Sequence, residues 1–133
     1  MNISKFTQKS VQAVQDLEKV AYEYGNQEIE EEHLLYTLLT QEDSLILKLI
    51  EKMEIQKEYF VDTVKKALDA KVKVQGGELR FGQYLNKALV SAEDEAKAMG
   101  DEYVSVEHLF LSMLRYPSPS MKKIFDEFGI TRE

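Results

Sequence analysis

The amino-acid sequence predicts an all-α fold. Apolar residues recur at the three- and four-residue spacing of amphipathic helices along nearly the whole chain. Only two prolines and six glycines occur among the 133 residues, so few positions interrupt helical structure. The sequence also lacks the regular alternation of apolar and polar residues that is typical of half-buried strands.

Four helices are expected in the first half of the chain. The first spans about 4–24 and stops at Gly25, a typical residue for a helix C-terminus. The second follows Glu30, the third is capped by Ser44, and the fourth spans about 56–71. The residues expected to face inward on the third helix are Leu45, Ile46, Leu49, Ile50 and Met53.

The pattern of apolar residues in the second half predicts three further helices. Residues 75–78, Gln-Gly-Gly-Glu, break the helical pattern and are expected to form a linker. Ser105 is expected to cap the second of these helices. Pro117 and Pro119 are expected to bracket a turn before a short helix that ends at Gly129. The helix after the linker is expected to bury Phe81, Leu85, Ala88, Leu89, Ala92, Ala96 and Met99.

The two halves align without a gap at an offset of 75 residues. The motif Glu-His-Leu at 32–34 matches the same motif at 107–109, and the helix stop Gly25 matches Gly100. Unrelated amphipathic helices would not share stops and a Glu-His pair in one register, so we infer an internal duplication. We expect one domain over 1–133, built from two pseudo-twofold-related four-helix repeats at 1–74 and 79–133, with the last helix of the second repeat truncated. The other matched pairs are Phe6 with Phe81, Ala13 with Ala88, Ala21 with Ala96, and Ile55 with Ile130.

Composition narrows the classes of function. The formal net charge is −7, which disfavours binding to the phosphate backbone of a nucleic acid. No apolar run approaches the roughly 18–20 residues that span a bilayer, and the amino terminus has no signal-peptide core. Cysteine is absent, which excludes disulfides and thiolate metal sites. We therefore expect a soluble, cytoplasmic protein without nucleic-acid or membrane partners.

Thr7, Glu32 and Glu107 are the candidate binding residues. Each lies in the first turn of an expected helix, where a hydroxyl caps the helix and a carboxylate interacts favourably with unpaired N–H groups. This helix-end role is the simpler interpretation. The functional alternative is a paired anionic site on the surface, one in each half, that holds a basic group, a phosphorylated guanidinium or backbone N–H groups. His33 and His108 are expected to hydrogen-bond neighbouring loops, because two His residues alone make a poor metal site.

The sequence carries no sign of catalysis or of a cofactor. The segment "QGGELRFGQ" has neither the Lys nor the spacing of a phosphate-binding loop. The residues after His33 do not complete the His-Glu-x-x-His zinc motif, and no activated nucleophile accompanies either His. We expect this chain to be neither an enzyme nor a nucleotide-binding protein, and to require no metal.

Several segments together resemble the Clp amino-terminal domain, a double repeat carried by Clp ATPase chaperones. They are "KFTQKSVQAVQ", "NQEIEEEHLLYTLL", "GDEYVSVEHLFLSML" and "FGI". The similarity covers nearly the whole chain. The ClpC-type unfoldases usually read Gly-Thr-Glu-His at both motifs, whereas Glu30-Glu31 and Ser105-Val106 precede the Glu-His pairs here. The sequence is therefore most similar to the ClpB-type disaggregases.

This resemblance implies a function in recognition. The domain would engage unfolded or aggregated polypeptides, here called clients, and sometimes adaptor proteins, ahead of threading through a hexameric ATPase ring in the stress response. The isolated chain would be a monomer, and ATP would bind only to the ATPase modules of a full-length parent. Residues tied to client contact in the family map onto Thr7 and Glu107, and in ClpC-type relatives also onto Glu32. The alternative is a ClpC-type unfoldase that delivers substrates, including arginine-phosphorylated ones, to a peptidase, although Gly82 departs from the Ser or Thr common there.

Overall fold

The computed structural model describes residues 3–74 and 76–131 and confirms the all-α prediction. Within these residues the strands are limited to a parallel pair of two residues each, β1 (Glu28–Ile29) and β2 (Arg80–Phe81). None of the described helices has both the length and the apolar character needed to cross a membrane. The helices are α1 (Gln8–Glu23), α2 (Glu31–Leu39), α3 (Leu45–Lys52), α4 (Lys57–Asp69), α5 (Gln83–Ala98), α6 (Val106–Arg115) and α7 (Pro119–Phe128), after a single 3-10 turn at Ile3–Lys5.

Helix starts follow the local sequence closely. The hydroxyls of Thr7, Ser44 and Ser118 each accept a hydrogen bond from a backbone N–H three residues later, which satisfies one of the unpaired groups at a helix N-terminus. Pro119 differs from the expectation, because it is the first residue of α7 and not part of a turn before it. Proline suits this position, since its fixed φ is helical and its missing N–H would have no partner there.

The short α2 is the central helix of the fold. It packs against α1, α3, α4, α5 and α6, and every residue in it except Tyr36 is buried. A helix that is buried all round normally consists of apolar residues. The first turn of α2 nevertheless contains Glu31, Glu32 and His33, and their polar atoms need partners inside the protein.

The two halves exchange backbone hydrogen bonds in a reciprocal way. Thr7 N–H donates to the Val104 carbonyl at 2.9 Å, and Gly82 N–H donates to the Ile29 carbonyl at 2.8 Å. Both residues of the second bond are matched to the first by the offset of 75. Reciprocal contacts of this kind are the signature of a twofold relation. The expected pseudo-twofold relation between the halves is therefore confirmed.

Backbone conformation repeats with the same period. Gly25 and Gly100 end α1 and α5 with φ angles of 72° and 73°. Glu54 and Gly129 follow α3 and α7 with φ angles of 62° and 66°, so α7 matches α3 in the first half. Residue 75 lies outside the described residues, and the boundaries at 74 and 79 stay a prediction.

Four residues expected in the core are exposed. Phe81 lies in β2, outside α5, with 37% of its surface accessible, whereas its match Phe6 is buried. Leu45, Met53 and Met99 are 40–50% exposed. Helical spacing shows which residues share one face of a helix, but it does not show whether another element covers that face.

Candidate functional site

His33 links three segments of the first half through a chain of hydrogen bonds. Its Nδ1 accepts the Glu30 backbone N–H at 2.8 Å, which leaves the proton on Nε2 to be donated to Asn26 Oδ1 at 2.9 Å. Asn26 Nδ2 in turn donates to the Val72 carbonyl at 3.0 Å. Burial, reinforced by the nearby charge of Lys71, lowers the pKa of His33 to about 4, so the imidazole is neutral at physiological pH.

His108 makes the equivalent bonds in the second half. Its Nδ1 accepts the Ser105 backbone N–H at 2.8 Å, and its Nε2 lies 2.8 Å from Asp101 Oδ2. The partners of both imidazoles are again 75 residues apart. Both nitrogens of each ring are occupied by neighbouring groups, and this geometry supports the expected role in fixing loops.

Thr7 acts as a helix cap and adjoins α6. Its hydroxyl accepts the Ser10 N–H at 3.3 Å and lies 2.9 Å from the Ser10 hydroxyl. Ser10 Oγ also donates to the Val104 carbonyl at 2.7 Å, just before α6 begins. Thr7 and the N-terminus of α6 therefore form one corner of the domain.

Glu107 is the second residue of α6, as expected from Ser105 as the cap. Its side chain is half-buried and makes no hydrogen bond or ion pair with any residue that the structure describes. An unpaired carboxylate in the first turn of a helix is stabilised by the helix dipole and keeps its acceptor capacity for a ligand. This is the property that the proposed contact role requires.

Glu32 is placed differently, and its expected surface position is wrong. Only 1% of Glu32 is exposed. Its Oε2 accepts a hydrogen bond from the Ser120 hydroxyl, and Lys71 Nζ lies 3.3 Å from its Oε1 and 2.9 Å from Glu30 Oε2. A buried carboxylate needs a counter-charge, and Lys71 supplies it here. A contact between Glu32 and a client stays a prediction, and it would require these partners to move.

Glu31 is a buried acid that sequence reasoning missed. Its Oε1 accepts the Ser118 backbone N–H at 2.7 Å, whereas its Oε2 is buried without a hydrogen-bond partner among the described residues. Burial raises the pKa of Glu31 to about 7, although the bond from Ser118 opposes the shift. The three consecutive glutamates gave no local signal that two of them are buried.

Two corners of the domain therefore have equivalent backbone hydrogen bonds but different side chains around them. We define the Thr7 corner by Thr7, Val104 and Glu107, and the Gly82 corner by Gly82 and Ile29. Exposed apolar side chains flank both: Ile3 and Tyr103 lie next to the Thr7 corner along the chain, and Phe81 and Tyr84 lie at the Gly82 corner. The residues lining a cavity of about 450 Å³ at the Gly82 corner include Glu28, Glu30, Glu31, Arg80, Phe81, Gly82, Tyr84 and Ser118.

Gly82 makes room for an acidic neighbour. A Cβ atom at this position would lie 2.8 Å from Glu28 Oε1 and 3.3 Å from the Ile29 carbonyl oxygen. Glu28 also pairs with Arg80 at 3.5 Å. The Gly82 corner thus lacks the capping hydroxyl of the Thr7 corner. The side chain of Glu28 occupies the space beside the start of α5 instead.

The arrangement of these side chains is more typical of a binding site than of a catalytic site. Both imidazoles are already bonded, so neither His is poised as a general base for a nucleophile. Among residues 3–74 and 76–131, the acidic and His side chains form no group of three that could hold a metal ion. Exposed apolar side chains, such as those near Thr7 and Gly82 in the sequence, can instead contribute to a surface that contacts another polypeptide.

Comparisons with known proteins agree with this architecture. Residues 5–128 match the family model described as the Clp repeat (R) N-terminal domain. The chain is 37% identical over 139 aligned positions to the chaperone protein ClpB of Nitratidesulfovibrio vulgaris, and 38% identical over 138 to that of Clostridium tetani. All of the chain is covered in both alignments, but it spans only 16% of the length of either relative.

Solved structures show the same fold. The Hsp104 N-terminal domain from Candida albicans superposes with a TM-score of 0.83 at 21% identity, covering 97% of this chain and 85% of that one. A complex of the ClpV N-domain with a VipB peptide superposes with a TM-score of 0.75 at 23% identity, covering 98% and 81%. The sequence match and the shared fold together show that this chain belongs to the Clp amino-terminal repeat family of the Clp ATPase chaperones.

Proposed function

We propose that this domain recognises unfolded or aggregated polypeptides for an ATP-dependent chaperone of the ClpB type. Membership of the Clp amino-terminal family and the similarity to ClpB chains support this proposal. A structural relative, the ClpV N-domain, has been solved with a bound VipB peptide, so the fold can present a peptide-binding surface. ATP hydrolysis, the hexameric ring, adaptor proteins, the stress response and a cytoplasmic location are proposals for the full-length parent.

The unpartnered carboxylate of Glu107 carries the proposal for the site. It lies at the N-terminus of α6, next to the backbone bond between Thr7 and Val104. Exposed Ile3 and Tyr103 lie close by in sequence, so apolar anchors accompany a hydrogen-bond acceptor. An extended client could bury apolar side chains here while its backbone N–H groups or basic side chains bind Glu107.

Binding at such a site is weak for a single domain. A disordered client loses conformational entropy when it docks, which offsets part of the contact energy. A hexameric parent would hold six copies close together, and simultaneous binding would raise the overall affinity without any new contact.

The alternative of a ClpC-type recognition domain for arginine-phosphorylated substrates has less support. Glu32 is bound to Lys71 and Ser120, so a guanidinium would have to compete with an internal cation. Gly82 supplies no hydroxyl at the equivalent helix start. We therefore place client contact at the Thr7 corner.

The test uses binding and stability together. A reduced and carboxymethylated protein, which cannot refold, serves as the fluorescent probe in anisotropy titrations. Glu107→Ala should weaken binding about fivefold or more while leaving the melting temperature nearly unchanged. Thr7→Ser keeps the cap and should bind normally, whereas Thr7→Ala should weaken binding. Glu18→Ala removes an exposed carboxylate far along α1 and is the matched control. If folded Glu107→Ala and Thr7→Ala bind the probe as well as the parent does, the contact role is wrong.

A further inference from the structure

The short strand β2 is hydrogen-bonded along one edge. Among the described residues its sheet contains only β1 and β2, so β2 has a neighbour on a single side. Arg80 N–H donates to the Gln27 carbonyl at 3.1 Å, and Gly82 N–H donates to the Ile29 carbonyl at 2.8 Å. Successive residues of a strand direct their backbone groups to opposite sides. Phe81, between Arg80 and Gly82, therefore directs its N–H and carbonyl groups away from β1.

The outward side of residues 79–81 has unpaired backbone groups, and we call it the open edge. Neither the N–H nor the carbonyl group of Phe81 forms a hydrogen bond with any residue that the structure describes. Phe81 is 37% exposed, and Leu79 is half-buried. An unpaired strand edge is a template for another extended chain, because that chain supplies the missing hydrogen-bond partners.

The first half closes the equivalent edge with a local turn. Phe6, the match of Phe81, donates its N–H to the Ile3 carbonyl at 3.0 Å in the 3-10 turn before α1, and it is only 7% exposed. Glu78 stands at the position of Ile3, but its carbonyl accepts no hydrogen bond from Phe81. Every position in this comparison lies within the described chain. The open edge is therefore a property of the second half and not of the repeat.

Two aromatic side chains lie at the open edge. Phe81 and Tyr84, in the first turn of α5, are 37% and 38% exposed. Both line the cavity of about 450 Å³ at the Gly82 corner. Every second side chain of an added strand points to the same face, so apolar side chains two residues apart could contact this surface together. Aromatic residues at such a contact often supply much of the binding energy.

Acidic side chains surround the open edge. Glu28 and Glu30, at the end of β1 and just after it, keep 45% and 37% of their side chains exposed, although each pairs with a basic residue. Glu78, before β2, is exposed as well. Since the whole chain carries a net charge of −7, basic side chains on an added segment would be attracted to this surface.

We propose that the open edge binds an extended segment of an unfolded polypeptide as a third strand. The backbone of the segment pairs with the Phe81 N–H and carbonyl groups, and its apolar side chains contact Phe81 and Tyr84. This inference rests on the proposed function of binding unfolded clients, and it adds a second contact that recognises backbone groups and is separate from the Thr7 corner. A folded second copy fits less well, because its own α5 follows β2 directly and would have to approach the same edge.

A synthetic peptide of the sequence Lys-Val-Thr-Phe-Lys-Val-Thr, labelled with fluorescein, is the probe for this site. Hydrogen exchange followed by nuclear magnetic resonance gives the most direct measurement. In the free domain the Phe81 amide should exchange faster than the amides of Arg80 and Gly82, which are bonded across the sheet. Saturating peptide should slow the exchange of the Phe81 amide, because a strand pairs with it.

Two modified peptides test whether the backbone is recognised. One carries N-methyl groups on Val, Phe and Val, and the other carries them on the Thr, Lys and Thr that follow each of these residues. The two peptides have the same number of methyl groups, but they block opposite edges of the extended chain. In anisotropy titrations one should bind like the unmodified peptide and the other at least about tenfold more weakly, since it loses its bonds to β2.

Two variants of the domain make the matched test on the protein. Phe81→Val and Phe81→Pro both remove the ring, but only proline also removes the outward N–H. Proline is tolerated at a strand edge, so the two variants should have similar melting temperatures. Phe81→Pro should bind the peptide about fivefold more weakly than Phe81→Val does.

Several results would overturn the proposal. Equal affinities of the two N-methylated peptides, or of Phe81→Val and Phe81→Pro, would show that the peptide does not pair with β2. Protection of the Phe81 amide that grows with domain concentration in the absence of peptide would assign the edge to a second copy. The peptide pair leaves the protein unchanged, so it decides the question even where a variant fails to fold.

Failure of this inference can be distinguished from failure of the proposed function. Binding of the carboxymethylated protein that depends on Glu107, together with equal affinities of the N-methylated peptides, would leave the proposed function intact and remove the open edge from it. Conversely, unchanged binding of the carboxymethylated protein by Glu107→Ala would count against the Thr7 corner and not against the open edge.

Discussion

Replacing Glu31 with Gln should stabilise the domain above neutral pH and change how its stability depends on pH. The side chain is fully buried, and one carboxylate oxygen has no hydrogen-bond partner among the described residues. Gln keeps the size of the side chain and an oxygen that can accept the Ser118 N–H. It removes the ionised form, which is costly in this environment.

The magnitude follows from the pKa of Glu31. Burial raises this pKa from 4.5 to about 7, so the folded chain keeps a proton on Glu31 between these values while the unfolded chain releases it. The stability contributed by the protonated acid is complete below about pH 4.5 and is lost as the pH rises through about 7. A pKa difference of about 2.5 corresponds to a change of about 3 kcal/mol in the free energy of unfolding.

His33 acts in the opposite direction over nearly the same range. Its pKa is lowered from 6.5 to about 4, so its stabilising contribution is complete above about pH 6.5 and is lost as the pH falls through about 4. The slopes of the two groups are each about 1.4 kcal/mol per pH unit, with opposite signs, between about pH 4.5 and 6.5. In the unsubstituted domain the two effects largely cancel. In Glu31→Gln the contribution of His33 should appear alone.

Urea unfolding followed by circular dichroism at several pH values between about 4.5 and 8 measures this effect. The useful quantity is the difference between Glu31→Gln and the parent, because all other titrating groups are common to both. This difference should be near zero at the acidic end and should approach about 3 kcal/mol in favour of the variant above pH 7. Glu18→Gln, which loses an exposed carboxylate, controls for the change in net charge. Parallel profiles for Glu31→Gln and the parent would refute the reasoning.

Three further predictions concern stability. Thr7→Ala should cost about 1 kcal/mol through loss of the helix cap and Thr7→Ser much less; equal losses in urea unfolding would contradict the capping role. Lys71→Met should cost about 3 kcal/mol at pH 7, because it leaves Glu32 charged and buried, and a change below about 0.5 kcal/mol would show that this pair is not needed. Gly25→Ala and Gly100→Ala should each cost about 1 kcal/mol, since both have φ angles near 72°. Clearly unequal melting temperatures for the two glycine variants would show that the halves share their backbone geometry but not the contribution of this glycine to stability.

Features that depend on near neighbours in sequence could be predicted. Ser105 and His108 are three residues apart, and the bond between them needs only the first turn of a helix. The same holds for the cap at Thr7 and for the glycines that end α1 and α5. The repeat added further information, because the His residues at the helix starts and the glycines that end the helices each occur twice at one offset.

The burial of Glu31 and Glu32 could not be predicted from the sequence. Charged residues are usually exposed, and a run of three glutamates is normally interpreted as a solvated surface. Lys71 lies 39 residues after its partner Glu32, and Ser118 lies 87 residues after its partner Glu31, so only the folded chain brings them together. The positions of Thr7 and Glu107 at helix starts could therefore be predicted, whereas the accessible and inaccessible carboxylates could not be told apart.

The reciprocal bonds between the halves also bear on how the domain folds. The bond from the Ser10 hydroxyl to the Val104 carbonyl joins residues 94 positions apart. Forming it therefore restricts the conformational freedom of most of the chain. The Thr7 N–H before α1 pairs with the second half, and the Gly82 N–H before α5 pairs with the first, so each half alone leaves one of these backbone N–H groups without its partner. Folding should therefore be a single cooperative step that is slower than in helical bundles with only local contacts. Either half made separately should behave as a collapsed chain without fixed packing, although it carries most of the helical sequence of a repeat.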